Sequence, residues 1–342
     1  MLLLLSYGAT AQLLRKSRLA PVTALTPRVV VARIPNSIDS LRANADVEQW
    51  VRKHAGWRKR SYFYPAFQLD TALVTYNADC QQYCTTLNVK PWAVVDVDGN
   101  GRSDLIAFRL RESFGRFSHE PYIFYDYGPN DGIRTEYLQG RGAGPCEIVS
   151  VTQLDGRPAL LFVHHVTPPQ SDGFSSPPVL QIDTLVHRFG DLVEYTTSIA
   201  TPRFSRLEVS FGFDCCASFT ITIHADRKLE YQVGYTSGSE YYLFNRERGK
   251  FQSELDSAQF EQLQQLFQYI KPDKLAKSYA VSWTDAGTAW LTAEYGNGKV
   301  VHIKDYGERA TWGVSRLYEL IARLRTQQRW YSVEHPYDVP VR

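Results

Sequence analysis

Residues 94–108 read VVDVDGNGRSDLIAF, in which two short apolar runs flank an acidic, glycine-rich stretch. Apolar runs of this length bounded by Asp-Gly and Asn-Gly pairs predict two antiparallel β-strands joined by a loop. Similar short runs, broken by turn residues, continue from Ser61 to Thr197. The sequence therefore predicts an N-terminal region built mostly from antiparallel strands.

A second hairpin of similar pattern lies at residues 151–163, VTQLDGRPALLFV, with Asp155-Gly156 at its turn. Two interpretations remain open for the similarity between this hairpin and the one at residues 94–108. The two hairpins are either copies of a repeated blade-like β unit or similar by chance, and two copies are too few to close a propeller.

The pattern changes after residue 202. Alternating runs at residues 207–211, 219–224 and 229–235 predict three strands, and apolar residues at helical spacing predict a helix over residues 260–270 that stops before Pro272. A second predicted helix carries four apolar residues on one face: Leu317, Leu320, Ile321 and Leu324. The predicted fold class is mostly β plus α+β: an N-terminal antiparallel β domain, then an α+β domain with antiparallel strands and two helices.

The length of 342 residues favours two domains. The expected divisions are a signal peptide at 1–11, a lead-in segment at 12–45, a β-rich domain at 46–200, an α+β domain at 203–332 and a tail at 333–342. A hydrophobic fraction of 44% is typical of a folded chain, and a net charge of +2 argues against nucleic acid as a partner.

The amino terminus indicates export. A short apolar run after Met1 leads to Ala9-Thr10-Ala11, the small-x-small pattern that precedes signal-peptidase cleavage, here before Gln12. The run is shorter than a bilayer span requires, so we expect no membrane span. The positively charged start of a signal peptide is missing, and the alternative is a chance apolar tip. The expected location is periplasmic or secreted.

Five cysteines, an odd number, leave at least one thiol unpaired by disulfides within the chain. Cys80 and Cys84 are four residues apart, so one helical turn places them on the same face. They are either bridged to each other or two small buried hydrophobic residues. The pairing is not assigned by the sequence, which also contains Cys146, Cys215 and Cys216.

Residues 203–330 resemble a family of uncharacterised bacterial exported domains, the domain of unknown function numbered 6438. The resemblance rests on the hairpin of residues 219–231, the helix of residues 260–270 and the motif Asp305-Tyr306-Gly307. The family usually has two cysteines a few residues apart and then a proline, whereas this chain has Cys215-Cys216-Ala217. The resemblance implies a fold and a location outside the cytoplasm, and it implies no chemistry.

The acidic stretch at residues 96–104 has the spacing of a cation-binding loop. Oxygen side chains stand at loop positions 1, 3, 5 and 9, a glycine at position 6 allows the turn, and position 7 offers its backbone carbonyl. The predicted ligands of Ca²⁺ are Asp96, Asp98, Asn100, Arg102 (through its carbonyl) and Asp104. Position 12 is Ala107 where an EF-hand has glutamate, so the EF-hand form is excluded.

The loop resembles the calcium-binding β-loop-β of integrin-type and related bacterial repeat proteins, which implies that Asp104 closes the coordination shell. A structural role for the cation is expected. The alternative is an ordinary hairpin with a solvated acidic turn. The second hairpin retains only Asp155 of these ligands and is expected to bind no cation.

The sequence leads to two functional hypotheses. The first is an exported, non-enzymatic binding or structural protein with a calcium-stabilised β domain, whose partner is an unknown extracytoplasmic protein or glycan. The alternative is an envelope or secreted hydrolase that uses scattered acids such as Asp126, Asp131 or Glu136. His164 and His165 are adjacent in a predicted strand and so point to opposite faces, which predicts that they do not share a metal.

Overall fold

The computed structural model describes residues 32–55, 67–71, 73, 78–113, 116–141, 146–166, 178–197, 202–212, 218–233, 249–281 and 283–333. The predicted signal peptide, most of the lead-in segment, Cys215, Cys216 and nearly all of the tail lie outside these residues. The described residues all fall within one compact unit, and the division into domains near residue 200 stays a prediction.

The first sheet is a four-stranded antiparallel meander, here called sheet I. Two helices accompany it, α1 (Asn44–His54) and α2 (Ala78–Thr86), with a short 3-10 helix at Ser37–Ser40. Its strands, in spatial as well as chain order, are β1 (Trp92–Val95), β2 (Asp104–Ser113), β3 (Arg116–Asp126) and β4 (Ile133–Tyr137).

Sheet II is a second four-stranded antiparallel meander. Its strands are β5 (Glu147–Leu154), β6 (Arg157–Val166), β7 (Val179–Arg188) and β8 (Asp191–Glu194). The turn between β5 and β6 is Asp155-Gly156, and both residues have positive φ, 52° and 72°. Such a two-residue turn matches the twist of the flanking strands. Both Asp-Gly turns thus join the first and second strands of a meander.

Sheet III has eight strands in the order β13-β15-β14-β9-β10-β11-β12-β16. Its neighbouring strands are antiparallel except for β13 and β15, which are parallel. Helices α3 (Ser257–Ile270) and α4 (Trp312–Gln327) and a short 3-10 helix at Pro272–Lys274 accompany it. The strands are β9 (Phe204–Gly212), β10 (Phe219–His224), β11 (Lys228–Val233), β12 (Gly249–Glu254), β13 (Ser278–Ala280), β14 (Thr288–Tyr295), β15 (Lys299–Tyr306) and β16 (Tyr331–Ser332).

The ends of α3 follow from local sequence chemistry. Asp256 precedes the helix and its carboxylate accepts a hydrogen bond from the Gln259 backbone N–H at 2.8 Å, which satisfies one of the free amides of the first turn. Lys271 ends the helix in the left-handed conformation, and Pro272 follows. Leu263, Leu266 and Phe267 are buried against sheet III.

Sheet I is buried on both faces because its neighbouring side chains alternate between two cores. Leu105 and Phe124 point towards Val47 and Trp50 of α1. Ile106 and its neighbours on the other face pack against α2 and sheet II. Burial on both sides explains why residues 105–108 form a continuous apolar run.

The predicted fold class, mostly β plus α+β, is confirmed by the three largely antiparallel sheets and the helices that accompany them.

Cys80 in α2 is bonded to Cys146, just before β5, with a Cα–Cα distance of 5.5 Å. Cys84 is a buried free thiol. The alternative of a Cys80–Cys84 bridge is therefore wrong, because packing in the core that holds all three cysteines brings Cys80 against Cys146. The disulfide covalently joins α2 to the start of β5 in sheet II.

Candidate metal centre

The predicted cation-binding loop connects β1 and β2 and brings three carboxylates together. One ligand oxygen from each of Asp96, Asp98 and Asp104 lies within 4.8 Å of the other two. Gly99 and Gly101 have φ values of 75° and 85°, a region in which residues with a Cβ are strained, so the glycines allow the loop to curl. Strands flank the loop, as expected for a β-loop-β arrangement.

Backbone amides of the loop point towards its own side-chain oxygens. Asp98 Oδ1 accepts from the Asn100 N–H at 3.0 Å, and Asp96 Oδ2 accepts from the Gly101 N–H at 2.9 Å. Asn100 Oδ1 accepts from the Arg102 N–H at 2.7 Å. The side-chain oxygen of Asn100 is thus already engaged, so ligation by Asn100 requires this hydrogen bond to be shared.

Asp104 is fully buried, with 0% of its surface exposed. Its two oxygens accept backbone N–H groups of Val97 at 2.8 Å and Asp126 at 3.0 Å, which fix the carboxylate at the start of β2. Burial, together with the charges of Asp98 and Asp96, raises the pKa of Asp104 to about 7. Burial and the charge of Asp96 also raise the pKa of Asp98.

The loop's own positive charge is directed away from this cluster. The Arg102 side chain forms an ion pair with Asp126, with Nε and Oδ1 3.2 Å apart. Asp96 Oδ1 is buried, and within the described part of the chain it has no hydrogen-bond partner. Three converging carboxylates with one unpartnered buried oxygen form a donor set suited to a hard cation such as Ca²⁺.

Residues 33–41, which we call the strap, are attached to this loop. The Ile34 N–H donates to the Gly101 carbonyl at 2.7 Å, and Asn36 Nδ2 donates to the Ser103 carbonyl at 2.7 Å. Ser103 Oγ donates to Asp39 Oδ1 at 2.7 Å. These contacts were not predicted from the sequence. The Asn36 to Asp39 capping spacing signals a helix start, but nothing local in the sequence identifies the loop as its neighbour.

The three acids considered for a hydrolase are in different surroundings. Asp126 accepts from Asn36 and Arg102, whereas Asp131 is exposed on the turn after β3. Glu136 is paired with Ile123 across β3 and β4, so it shares a face with Ile123, and Asp126, three residues further along β3, points to the opposite face. The arrangement does not bring Asp126 and Glu136 to one site.

Glu136 belongs to a network of charges that reaches α4. Arg134 lies 3.6 Å from Glu136 and 3.4 Å from Asp191, and Arg316 of α4 lies 3.5 Å from Asp191. Burial and the charge of Asp191 raise the pKa of Glu136 well above its usual range. This network joins β4, the start of β8 and α4.

His164 is fully buried and pairs with Asp183 of β7, with Nε2 and Oδ2 2.8 Å apart. Asp183 Oδ2 also accepts from Arg141 Nη2 and from Trp312 Nε1 of α4, each at 3.0 Å. Asp183 Oδ1 accepts from Gln181 Nε2 at 2.5 Å. Asp183 therefore accepts from four side chains. We call this group the Asp183 cluster.

A shallow depression lies on the outer side of α1, lined by Ala45, Glu48, Gln49, Arg52 and Lys53. It is remote in sequence from the acidic loop and from the three acids considered for a hydrolase. None of the helices in the described ranges has the length and apolar composition that a membrane crossing requires.

Comparison with known proteins identifies the C-terminal part of the chain. Residues 206–325 match the model of a family described as a domain of unknown function (DUF6438), which confirms the resemblance predicted for this region. These residues hold most of β9, all of β10 to β15 and nearly all of α4. No curated protein and no solved structure matches the chain.

In this family region, the Asp-Tyr-Gly motif has a structural explanation. Asp305 Oδ2 accepts from the Ala310 N–H at 2.8 Å, and the Tyr306 hydroxyl accepts from the Ala286 N–H at 3.2 Å. Gly307 has φ 104°, and a Cβ there would lie 2.5 Å from Val281. The three residues shape the connection from β15 to α4.

Proposed function

We propose that this is an exported, non-enzymatic binding or structural protein whose β1–β2 loop binds Ca²⁺. The observation that carries the proposal is the convergence of Asp96, Asp98 and Asp104, with oxygens within 4.8 Å of one another. Three carboxylates and one dication leave a net charge near −1, and carboxylate and carbonyl oxygens are the ligands that Ca²⁺ prefers. The cation holds together a loop whose charges otherwise repel.

The role proposed for the cation is structural. The loop connects two strands of a sheet that is buried on both faces, and its carboxylate oxygens accept hydrogen bonds from backbone amides. Ca²⁺ at this position fixes β1 against β2 at the edge of sheet I. The protein then presents a rigid surface to an extracytoplasmic protein or a glycan.

Export is supported by two features. Ala9-Thr10-Ala11 has the pattern of a cleavage site, and the Cys80–Cys146 disulfide is of the kind that persists in oxidising compartments. Mature protein from an exporting host is therefore expected to begin at Gln12, a result that intact-mass analysis measures directly.

Thermal unfolding in calcium and in chelator tests the cation site. With a dissociation constant of about 10⁻⁴ M, typical of extracellular modules, about 10 mM Ca²⁺ stabilises the fold by roughly 2.7 kcal/mol. The melting temperature then rises by several degrees over the chelated sample. Mg²⁺ is expected to act weakly, because it demands a smaller octahedral shell.

Two matched variants complete the test. Asp98→Asn removes one ligand charge and is expected to abolish the calcium shift, whereas Asp155→Asn changes the equivalent residue of the second hairpin and leaves the shift intact. Identical melting curves in calcium and chelator for the unmodified protein would show that the loop is an ordinary acidic turn.

A further inference from the structure

We propose that Ca²⁺ at the β1–β2 loop controls the attachment of the strap, residues 33–41, to sheet I. This rests on the calcium binding proposed above and adds a consequence for a different part of the chain. The cation thereby acts as a latch between the sheet and the segment that leads into it from the N terminus.

Two of the three hydrogen bonds described between the strap and the loop are accepted by the loop's backbone, and the third is donated by the Ser103 side chain. The strap's donors, the Ile34 N–H and Asn36 Nδ2, both reach carbonyl groups, those of Gly101 and Ser103, at 2.7 Å. Both carbonyls belong to the segment that curls around the carboxylate cluster. Their positions therefore depend on the curl, which the carboxylates oppose unless their charges are neutralised.

A second set of contacts ties the strap to the end of β3. Asn36 Nδ2 also donates to Asp126 Oδ2 at 2.8 Å, and Arg102 of the loop pairs with the same carboxylate. The Asp126 N–H in turn donates to Asp104 at 3.0 Å. Asn36 thus lies where the strap, the loop and β3 meet. A change in the loop affects Asn36 directly, through the Ser103 carbonyl, and indirectly, through Asp126.

The far end of the strap has contacts with α1 as well as with the loop, where Ser103 Oγ donates to Asp39 Oδ1 at 2.7 Å. Ile38 is fully buried in the core with Val47 and Trp50, and Trp50 Nε1 donates to Ser37 Oγ at 2.9 Å. Because Ile38 and Ser37 make these contacts with α1 and not with the loop, removal of the cation does not weaken them directly. The strap is therefore expected to loosen from residue 33 towards residue 36 and to remain attached at Ile38.

Hydrogen exchange measured by mass spectrometry on the full chain tests the latch. In chelator, the Ile34 amide is expected to exchange about tenfold faster than in 10 mM Ca²⁺. The reason is that the Gly101 carbonyl, which accepts its hydrogen bond, is no longer held in place by the cation. Backbone amides beside the Asp155-Gly156 turn serve as an internal control and keep the same rate in both conditions. Calorimetric titration with Ca²⁺ on the same sample measures binding separately.

Variants separate the latch from the cation site. Asn36→Ala is expected to keep calcium binding but to exchange rapidly at Ile34 in both conditions, because the link is cut on the strap side. Asn44→Ala is the matched control, since the side chain of Asn44, at the start of α1, accepts a hydrogen bond from Trp92 Nε1 of β1 and, among the described residues, makes no hydrogen bond with the strap. It should retain the calcium response.

The outcomes are distinguishable. Calcium binding with unchanged exchange at Ile34 overturns the latch and leaves the proposed function standing. Absence of calcium binding in the titration overturns the proposed function and removes the basis of the latch.

Discussion

Asp104 and Asp183 are both buried aspartates, with 0% and 6% of their surface exposed, yet their surroundings are opposite. Asp104 shares its site with two other carboxylates, and burial and those charges raise its pKa to about 7. Burial alone also raises the pKa of Asp183, but His164 and Arg141 outweigh it and lower the value to about 2.

Asp183 is neutralised by side chains of the protein itself, whereas the proposed function assigns the neutralisation of Asp104 and its neighbours to an ion from outside the chain. The Asp183 cluster supplies its own donors from β6, β7, α4 and residue 141, and these hydrogen bonds hold sheet II to α4. The loop at residues 96–104 brings three like charges together, and the side chain of its Arg102 pairs with Asp126 instead of with them. An excess of negative charge in a shaped site is what a cation-binding loop requires.

The largest effect is expected at the Asp183 cluster. Asp183→Ala leaves Arg141 and His164 buried without their carboxylate, and breaking such a pair typically costs about 3–5 kcal/mol. Chemical denaturation should show the same loss in calcium and in chelator. Asp131→Ala, at an exposed turn, serves as a control and should change stability by less than about 0.5 kcal/mol. If the stability lost in Asp183→Ala differed between calcium and chelator, the Asp183 cluster and the loop would not be independent sites.

The pH dependence of Asp183 is the next largest effect. Because the folded pKa is about 2 and the ordinary value is 3.8, the stabilisation is complete above about pH 4 and is lost as pH falls towards 2. This pH-dependent stabilisation amounts to roughly 2 kcal/mol. It is measured as the difference in the free energy of unfolding between the unmodified protein and Asp183→Asn, by urea denaturation from pH 6 to pH 2. A difference that stays constant over this range would contradict the assigned partners.

A smaller effect with a change of sign is expected at the loop. In chelator, Asp96→Asn removes one of three like charges and should raise stability by about 1 kcal/mol. In about 10 mM Ca²⁺ the same change should lower stability, because a ligand charge is lost. Paired denaturation curves measure both. Loss of stability in both conditions would indicate that Asp96 serves the turn and not a cation.

The sequence predicted the loop because every residue of the motif is local. Asp96, Asp98 and Asp104 are separated by a few residues, so the curl of one loop is enough to bring them together. Helix α3 was predictable for the same reason, since its cap, its apolar face and its stop signal lie within residues 256–272. The family resemblance extended this to the strands around it.

The Asp183 cluster was not predicted, because its members come from four separate parts of the chain. His164, Asp183 and Trp312 are each unremarkable in their own segments, and only the packing of sheet II against α4 brings them together. The strap contacts were missed for the same reason, since Asn36 and Asp126 are 90 residues apart. The disulfide also depends on tertiary packing, which set Cys80 against Cys146 and not against its helical neighbour.

The position of that disulfide has a consequence for biosynthesis. Cys80 leaves the ribosome 66 residues before Cys146, and all of sheet I is translated between them. During this interval the nearest thiol to Cys80 along the chain is Cys84. We therefore expect that Cys80 joins Cys84 first when a partly exported chain has both thiols in the oxidising compartment. Recombinant production should gain from a disulfide isomerase that exchanges this early bond for the native one.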